Sequence, residues 1–229
     1  MIPRIVHQIW LGETAAEPPP AFAAAAASWR AAHPGWEHRV WSGAEIDALF
    51  ARARPDLVRL YRSYPYWVQR ADAARYLVLH EHGGVYADLD IVSARPLDGL
   101  LGSGLVLAPT RPYGFSNDLM MARPRHPLMR ALLDELPRSF RAWHRPWIPR
   151  HFRVMCGTGS LHLTRVLGRF PDRDAVRLLT ADEYGHGDPD AALIRHIPGN
   201  SWAGWDTRVL AFLAELWTAR RPPRPRGSR

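Results

Sequence analysis

At 229 residues the chain is long enough to bury its own core, and 47% apolar against 23% charged residues excludes wholesale disorder. The single cysteine, Cys156, excludes an internal disulfide framework and any cysteine-cluster zinc or iron–sulfur site. All thirty basic residues are Arg and none is Lys, which removes P-loop and Schiff-base lysine chemistry.

The formal charge of +8 is unevenly spread. Five arginines (Arg220, Arg221, Arg224, Arg226 and Arg229) lie in the last ten residues, which hold no acid; the rest of the chain sets 25 Arg against 22 acids. The expected organisation is one α/β domain over 1–219 and a disordered Arg/Pro-rich tail over 220–229. Arg4 and His7 interrupt the only candidate signal segment, and no apolar run is long enough to span a bilayer. The expectation is therefore a soluble cytoplasmic protein, with peripheral contact at the inner membrane face as its extension.

The first element is a β-branched run over 4–12, read as a buried strand closed by Gly12. After Pro18 to Pro20 an Ala-rich helix is expected over about 21–32, then a second strand over 36–41. Ser42 followed by Glu45 makes a capping box for a short helix, and another helix is expected from Pro55 to Ser63. The most regular helix spans 66–82 and stops at Gly83-Gly84. Strands follow at 85–92, 105–109 and 117–122, then a helix at 127–136. Residues 137–153 are rich in Arg, Trp and Pro without a clear period. Gly157-Thr158-Gly159-Ser160 introduces a helix to about 168. Late strands are expected at 176–180 and 192–197, with a closing amphipathic helix at 207–219. Strands alternating with helices argue for one sheet covered on both faces.

The chemistry centres on Asp88 and Asp90. Within a strand these two acids point to the same side, and a shared divalent cation relieves their repulsion. Ligands of open α/β sheets bind beyond the carboxyl ends of strands, which is where this pair lies. Projected at helical spacing, 66–82 puts Trp67, Val68, Ala71, Ala74, Val78 and Leu79 on one arc. Arg75 falls inside that arc and Asp72 at its edge, with Gln69, Arg70, His80 and Glu81 opposite. An Arg on a core face needs an anion. The alternative is an exposed Asp72–Arg75 pair of small consequence.

The block A-D-A-A-R-Y-L-V-L-H-E-H-G-G-V-Y-A-D-L-D (71–90) resembles the sugar-binding region with a D-x-D motif of glycosyltransferase family 32. That family includes fungal mannosyltransferases and is distantly related to large glucosylating toxins. The opening I-P-R-I-V-H-Q-I-W-L-G (2–12), H-P-x-W with V-W (33–41), T-G-S-x-x-L-T (158–164) and H-I-P-G-N-S-W (196–202) resemble other elements of it, with Ser160 where relatives carry Pro. The resemblance implies a GT-A fold: a single nucleotide-binding domain built on a mostly parallel mixed sheet.

By the same resemblance, the chain would use a divalent cation and a nucleoside-diphosphate sugar, retaining anomeric configuration. Asp88 would bind sugar or ribose, and Asp90 the metal. Asp72 and Arg75 would hold the sugar hydroxyls and the donor phosphate side. Trp10 would stack on the base, and Ser201 and Trp202 would close over the diphosphate. His196, where some relatives carry Glu, would be a further metal ligand; an imidazole among oxygens favours Mn²⁺ over Mg²⁺. Asn117 and Asp118 would lie near the anomeric carbon, or else form a turn entering a strand. The cation would stabilise charge on the departing diphosphate.

The remaining features are open. His7 and Gln8 are read as satisfied strand residues and Cys156 as a small buried side chain. The Gly157–Ser160 turn is a tight turn or a phosphate cradle. Segment 137–153 could line an acceptor groove, rest on an anionic membrane, or be a solvated loop, and the tail could tether weakly. The acceptor is a glycan, a lipid or a small molecule. Three rival readings stand beside transfer: a nucleotide-sugar hydrolase or phosphotransferase with the same site, a basic nucleic-acid-binding protein, and a catalytically dead sugar-binding relative, against which the intact acids argue. The nearly balanced charge of residues 1–219 argues against the second.

Overall fold

A computed structural model of the chain describes residues 1–11, 20–110, 114–172 and 175–197. The expected closing helix at 207–219, the tail, Gly12, Ser201 and Trp202 lie outside the described residues.

The described chain contains eight strands and seven α-helices, strictly alternating only from β1 to α2. They are β1 (Ile5–Trp10), α1 (Pro20–Ala32), β2 (Glu37–Ser42), α2 (Gly43–Ala53), α3 (Val58–Ser63), α4 (Trp67–His82), β3 (Gly84–Ala87) and β4 (Ile91–Ser93). There follow β5 (Leu105–Pro109), β6 (Phe115–Ala122), α5 (Pro127–Trp143), α6 (Arg150–Gly157), α7 (Ser160–Leu167), β7 (Arg177–Leu178) and β8 (Ile194–His196). The main sheet has the order β2-β1-β3-β6-β5-β7, and β4 pairs with β8 in a small second sheet. Within the main sheet only β6 runs against its neighbours; the pairings β1–β2, β1–β3 and β5–β7 are parallel. This is the mostly parallel mixed sheet that the resemblance implied.

Strand alternation divides the core between two faces. Tyr86, Leu107 and Met120 point toward a core built with α2, α4, α5 and α7. Val85, Val106 and Met121 point the other way, onto Trp29 of α1 and Ile91 and Ile194 of the small sheet. The Trp29 indole donates to the Ile91 carbonyl at 2.8 Å, tying α1 to β4. The capping box is present at the start of α2: Ser42 Oγ accepts from the Glu45 backbone and Glu45 accepts from the Ser42 backbone.

Four sequence expectations need correction. The 85–92 run is not one strand: β3 ends at Ala87, Asp88 to Asp90 form a turn, and β4 begins at Ile91. Residues 137–153 are not aperiodic, since α5 continues through Pro137 to Trp143 and α6 opens at Arg150. Burial of Leu132, Leu133 and Leu136 supports α5 through the hydrogen bond that Pro137 forgoes. Gln69 does not lie on an exposed face; α4 is packed on nearly all sides, and the Gln69 amide donates to the Arg153 carbonyl on α6. The late strands are shorter than expected, two residues in β7 and three in β8. His7 and Cys156 are buried as expected, His7 with one ring nitrogen 2.9 Å from the Gly83 carbonyl and the other accepting from the Trp41 indole. No described helix is long and apolar enough to cross a membrane.

Candidate active site

The two glycines that stop α4 set the geometry. Gly83 (φ 65°) and Gly84 (φ 94°) reverse the chain, so β3 starts beside the end of α4 and runs back along it. A Cβ on Gly84 would lie 2.6 Å from the Ile5 carbonyl, so β1 and β3 approach closely only because no side chain intervenes. The start of α4 therefore stands at the same end of the sheet as the Asp88–Asp90 turn, the carboxyl end of β1 and β3. Trp10 closes β1 at that end, half-buried and tilted against Phe22 at 6.3 Å between ring centroids.

Arg75 is the centre of the site. Its side chain is 4% exposed, and Nη2 lies 3.1 Å from Asp72 Oδ1 and 3.2 Å from Asp88 Oδ1. Its Nη1 donates to the Asn117 carbonyl at 2.6 Å, and the guanidinium carbon stands 4.7 Å from the Tyr86 ring centroid. The Arg75 Nε–H is buried with no partner among the described residues. The helical pair Asp72–Arg75 is thus not an exposed ornament but the buried link from α4 to the Asp88–Asp90 turn.

Each acid has its own environment. Asp72 is buried and accepts from Asn117 Nδ2 and Thr158 Oγ1, both at 2.8 Å. Burial pushes its carboxyl up, against Arg75 and these two donors. Asp88 accepts from the Tyr86 hydroxyl at 2.6 Å. Burial raises it to about 7; Arg75 opposes the rise, and the charges of Asp118 and Asp90 add to it. Asp90 is raised by burial and then by Asp118, and no cationic side chain among the described residues lies within ion-pair distance of it.

Asp118 completes the group. It accepts from Ser116 Oγ at 2.5 Å and from the Tyr184 hydroxyl at 2.6 and 2.7 Å, and His196 Nε2 lies 3.0 Å from its Oδ2. Burial works to raise this carboxyl, but His196, Ser116 and Tyr184 outweigh it and hold it below the usual carboxylate range. The same ion pair overcomes burial at His196 and raises the imidazole. His196 is placed by β8: it pairs with Ile91, and the next residue, Ile197, donates its backbone N–H to the Asp90 carbonyl at 2.8 Å.

Asn117 and Asp118 are neighbours that serve opposite sides of β6. Asn117 turns to Asp72 and the Tyr76 hydroxyl, under α4, whereas Asp118 turns to Tyr184 and His196. The sequence reading gave either of them a place near the anomeric carbon, or a turn entering a strand; both lie within β6, and the alternation of the strand points them apart. The Gly157–Ser160 turn resolves as a support for Asp72, through Thr158 Oγ1, with the Thr158 carbonyl accepting from Tyr76. The sequence reading placed Thr158 in a turn without linking it to Asp72, and gave no role to Tyr76, Tyr86, Ser116 or Tyr184. Tyr86 sits two residues before Asp88, a spacing that could have flagged it.

Among the described residues no three His, Cys, Asp or Glu side chains converge as a ready-made metal cage. The donor set nevertheless suits a hard divalent cation: Asp88 and Asp90 share one turn, both are driven up by burial and by the charge of Asp118, and no cationic side chain among the described residues pairs with Asp90. His196 commits Nε2 to Asp118, so any ligation by it would run through Nδ1.

A family model described as "Glycosyltransferase sugar-binding region containing DXD motif" matches residues 19–106, which include Asp72, Arg75, Asp88 and Asp90. Inositol phosphoceramide mannosyltransferase 1 of Schizosaccharomyces pombe is 32% identical over 218 residues, 93% of this chain and 66% of that protein. The chain belongs to this DXD glycosyltransferase family. Mannosyl phosphorylinositol ceramide synthase SUR1 of Saccharomyces cerevisiae is 31% identical, covering 93% of this chain and 55% of its own length. The chain thus spans between about half and two thirds of these two relatives. The UDP-bound glycosyltransferase domain of the YGT toxin superposes with a TM-score of 0.60 at 9% identity, over 78% of this chain and 79% of that one. The PaToxG glycosyltransferase gives 0.54 at 16% identity, over 73% and 69%. These likenesses establish the GT-A fold. In this family member Asp88-Leu89-Asp90 is the D-x-D element, while Asp118, Thr158 and His196 lie beyond the span matched by the family model.

Proposed function

We propose that the chain is a metal-dependent, retaining glycosyltransferase that moves a hexose from a nucleoside-diphosphate sugar to a glycolipid acceptor. The observation that carries this reading is the buried Arg75, shared between Asp72 and Asp88 at the carboxyl end of the parallel strands. Mannose as the sugar and an inositol-bearing lipid as acceptor are drawn from the names of the two fungal relatives. Asp90 and Asp88, with Nδ1 of His196, would hold Mn²⁺ or Mg²⁺. A cation bound there supplies Lewis-acid stabilisation of the leaving diphosphate.

The protein's own residues do the rest. Arg75 fixes a positive charge in a low-dielectric crevice, and its unpartnered Nε–H is a donor available to a sugar or phosphate oxygen. Asp72, held by Thr158 and Asn117, is preorganised to accept from sugar hydroxyls without rearranging. Asp118 keeps His196 in one orientation. Trp10 offers a ring face to a base at the end of β1, and Ser201 and Trp202 are assigned to closure over the diphosphate.

The test is a thermal-shift panel of UDP-, GDP- and TDP-sugars with Mn²⁺ or EDTA, followed by product analysis with glycolipid acceptors. Stabilisation is expected to require both sugar nucleotide and cation, and Asp90→Ala is expected to abolish transfer while leaving the fold intact. Full activity in that variant would overturn the reading. Free sugar as the only product with every acceptor would mark a hydrolase instead.

A further inference from the structure

The surface beside the site carries a feature that the donor chemistry does not use. From Leu136 to Pro171 the chain holds seven arginines and no Asp or Glu. Within that stretch, the turn between α5 and α6 presents Trp147 at 77% exposure. The exposure is built, not slack. Arg153 clamps the turn from behind, with Nε donating to the Ile148 carbonyl and Nη2 to the Pro146 carbonyl, both at 2.6 Å. The Ile148 N–H donates to the Arg145 carbonyl at 3.0 Å, and Pro146 and Pro149 bracket the ring.

The place of this turn in the fold gives it meaning. α5 runs against α4: the Arg125 N–H meets the His80 carbonyl at one end, and Phe140 packs edge-on against Tyr64 at the other, 5.5 Å between centroids. The Trp147 turn therefore stands by the start of α4, at the same end of the sheet as Asp88 and Asp90. There the Arg150 guanidinium lies 4.7 Å over the Tyr66 ring, next to the half-buried Trp67. Arg141 and Arg145 are exposed along the adjoining flank, with Arg138, also exposed, 3.7 Å from Glu135 Oε1 at its far end.

An outward indole beside exposed Arg141 and Arg145 matches a phospholipid interface. Indole rings settle at headgroup depth, and each Arg near an anionic leaflet contributes about 1 kcal/mol, roughly 5-fold in partition. Duplex RNA keeps its bases stacked and offers an outward ring no apolar phase to enter, whereas a bilayer does. We propose that this rim is a membrane-docking surface that seats the mouth of the site against an anionic bilayer. The inference goes beyond sugar transfer and stands without it, because binding is read with no donor present.

The test mixes the full chain with phosphatidylcholine vesicles, with and without phosphatidylserine, and with acyl chains carrying bromine to quench tryptophan. Co-sedimentation is expected with the anionic vesicles alone. Arg141→Gln with Arg145→Gln is expected to lower partition about 5-fold per charge removed. Trp147→Phe is expected to keep binding but lose most of the bromine quenching. Unchanged partition in the double variant, or unchanged quenching in Trp147→Phe, would overturn the proposal. So would duplex RNA binding that the double variant weakens while vesicles fail to bind.

Discussion

Nε2 of His196 lies 3.0 Å from Oδ2 of Asp118, joining two residues 78 positions apart and linking β6 of the main sheet to β8 of the small one. With Ser116 and Tyr184 also donating to Asp118, the carboxylate is surrounded by donors. Asp118→Asn keeps the size but turns an amide NH₂ toward at least one of them. Cation-dependent binding of the sugar nucleotide is expected to weaken about 10- to 100-fold, the range typical of groups that orient a ligating histidine. Calorimetric titration with Mn²⁺ present and absent measures it. Unaltered affinity would reduce the pair to a strand fastener.

Arg75 makes a sharper stability prediction. It faces two carboxylates and a carbonyl from a side chain that is 4% exposed. Arg75→Ala leaves Asp72 and Asp88 confronting each other without a cation, and the expected loss is about 3–5 kcal/mol in urea unfolding. Arg75→Lys is expected to recover little, since an ammonium cannot serve three acceptors with a planar fork. Near-native stability of the Lys variant would show that charge alone suffices.

The features legible in the sequence were those governed by short range. Ser42 and Glu45 cap α2 because three residues separate them, and Gly83-Gly84 end α4 because only glycine takes those dihedrals cheaply. Asp88 and Asp90 were found by spacing, although the turn that holds them read as a continuous strand: Leu89, Ile91 and Val92 are good strand formers. What escaped notice was long range. Thr158 reaches Asp72 across 86 residues and Tyr184 reaches Asp118 across 66. Neither pairing leaves a local pattern. Gln69 was misplaced because a helical projection assumes one wet face, and α4 has almost none.

Gly84 tests the close approach of β1 and β3. A Cβ there would stand 2.6 Å from both the carbonyl oxygen and Cγ2 of Ile5, at a φ of 94°. Gly84→Ala is expected to cost about 3 kcal/mol from combined strain and overpacking. Gly99→Ala, where nothing lies within 4 Å of the new atom, is the control and is expected to stay within about 0.5 kcal/mol. Equal denaturation midpoints for the two variants would remove the steric account of the α4–β3 reversal.

His162 makes the fold acid-sensitive in a defined window. It is fully buried between α5 and α7, one ring nitrogen 3.1 Å from the Leu132 carbonyl and the other facing Ser139 Oγ and an Arg165 Nη. The Leu132 carbonyl can only accept, so Nε2 carries the proton and Nδ1 must be the acceptor. Burial holds this ring neutral and lowers its pKa from 6.5 to about 3, with Arg165 adding to the effect. Below pH 6.5 the unfolded chain takes up a proton at this position that the folded chain refuses. Stability therefore falls with falling pH, at about 1.4 kcal/mol per unit for this group, until the folded state protonates near pH 3. His162→Asn is expected to be less stable at pH 7 yet to lose stability less steeply between pH 6 and 4, by about 1.4 kcal/mol per unit. Urea midpoints measured across that range decide it, and parallel slopes for the two proteins would mean that His162 is already charged in the native state.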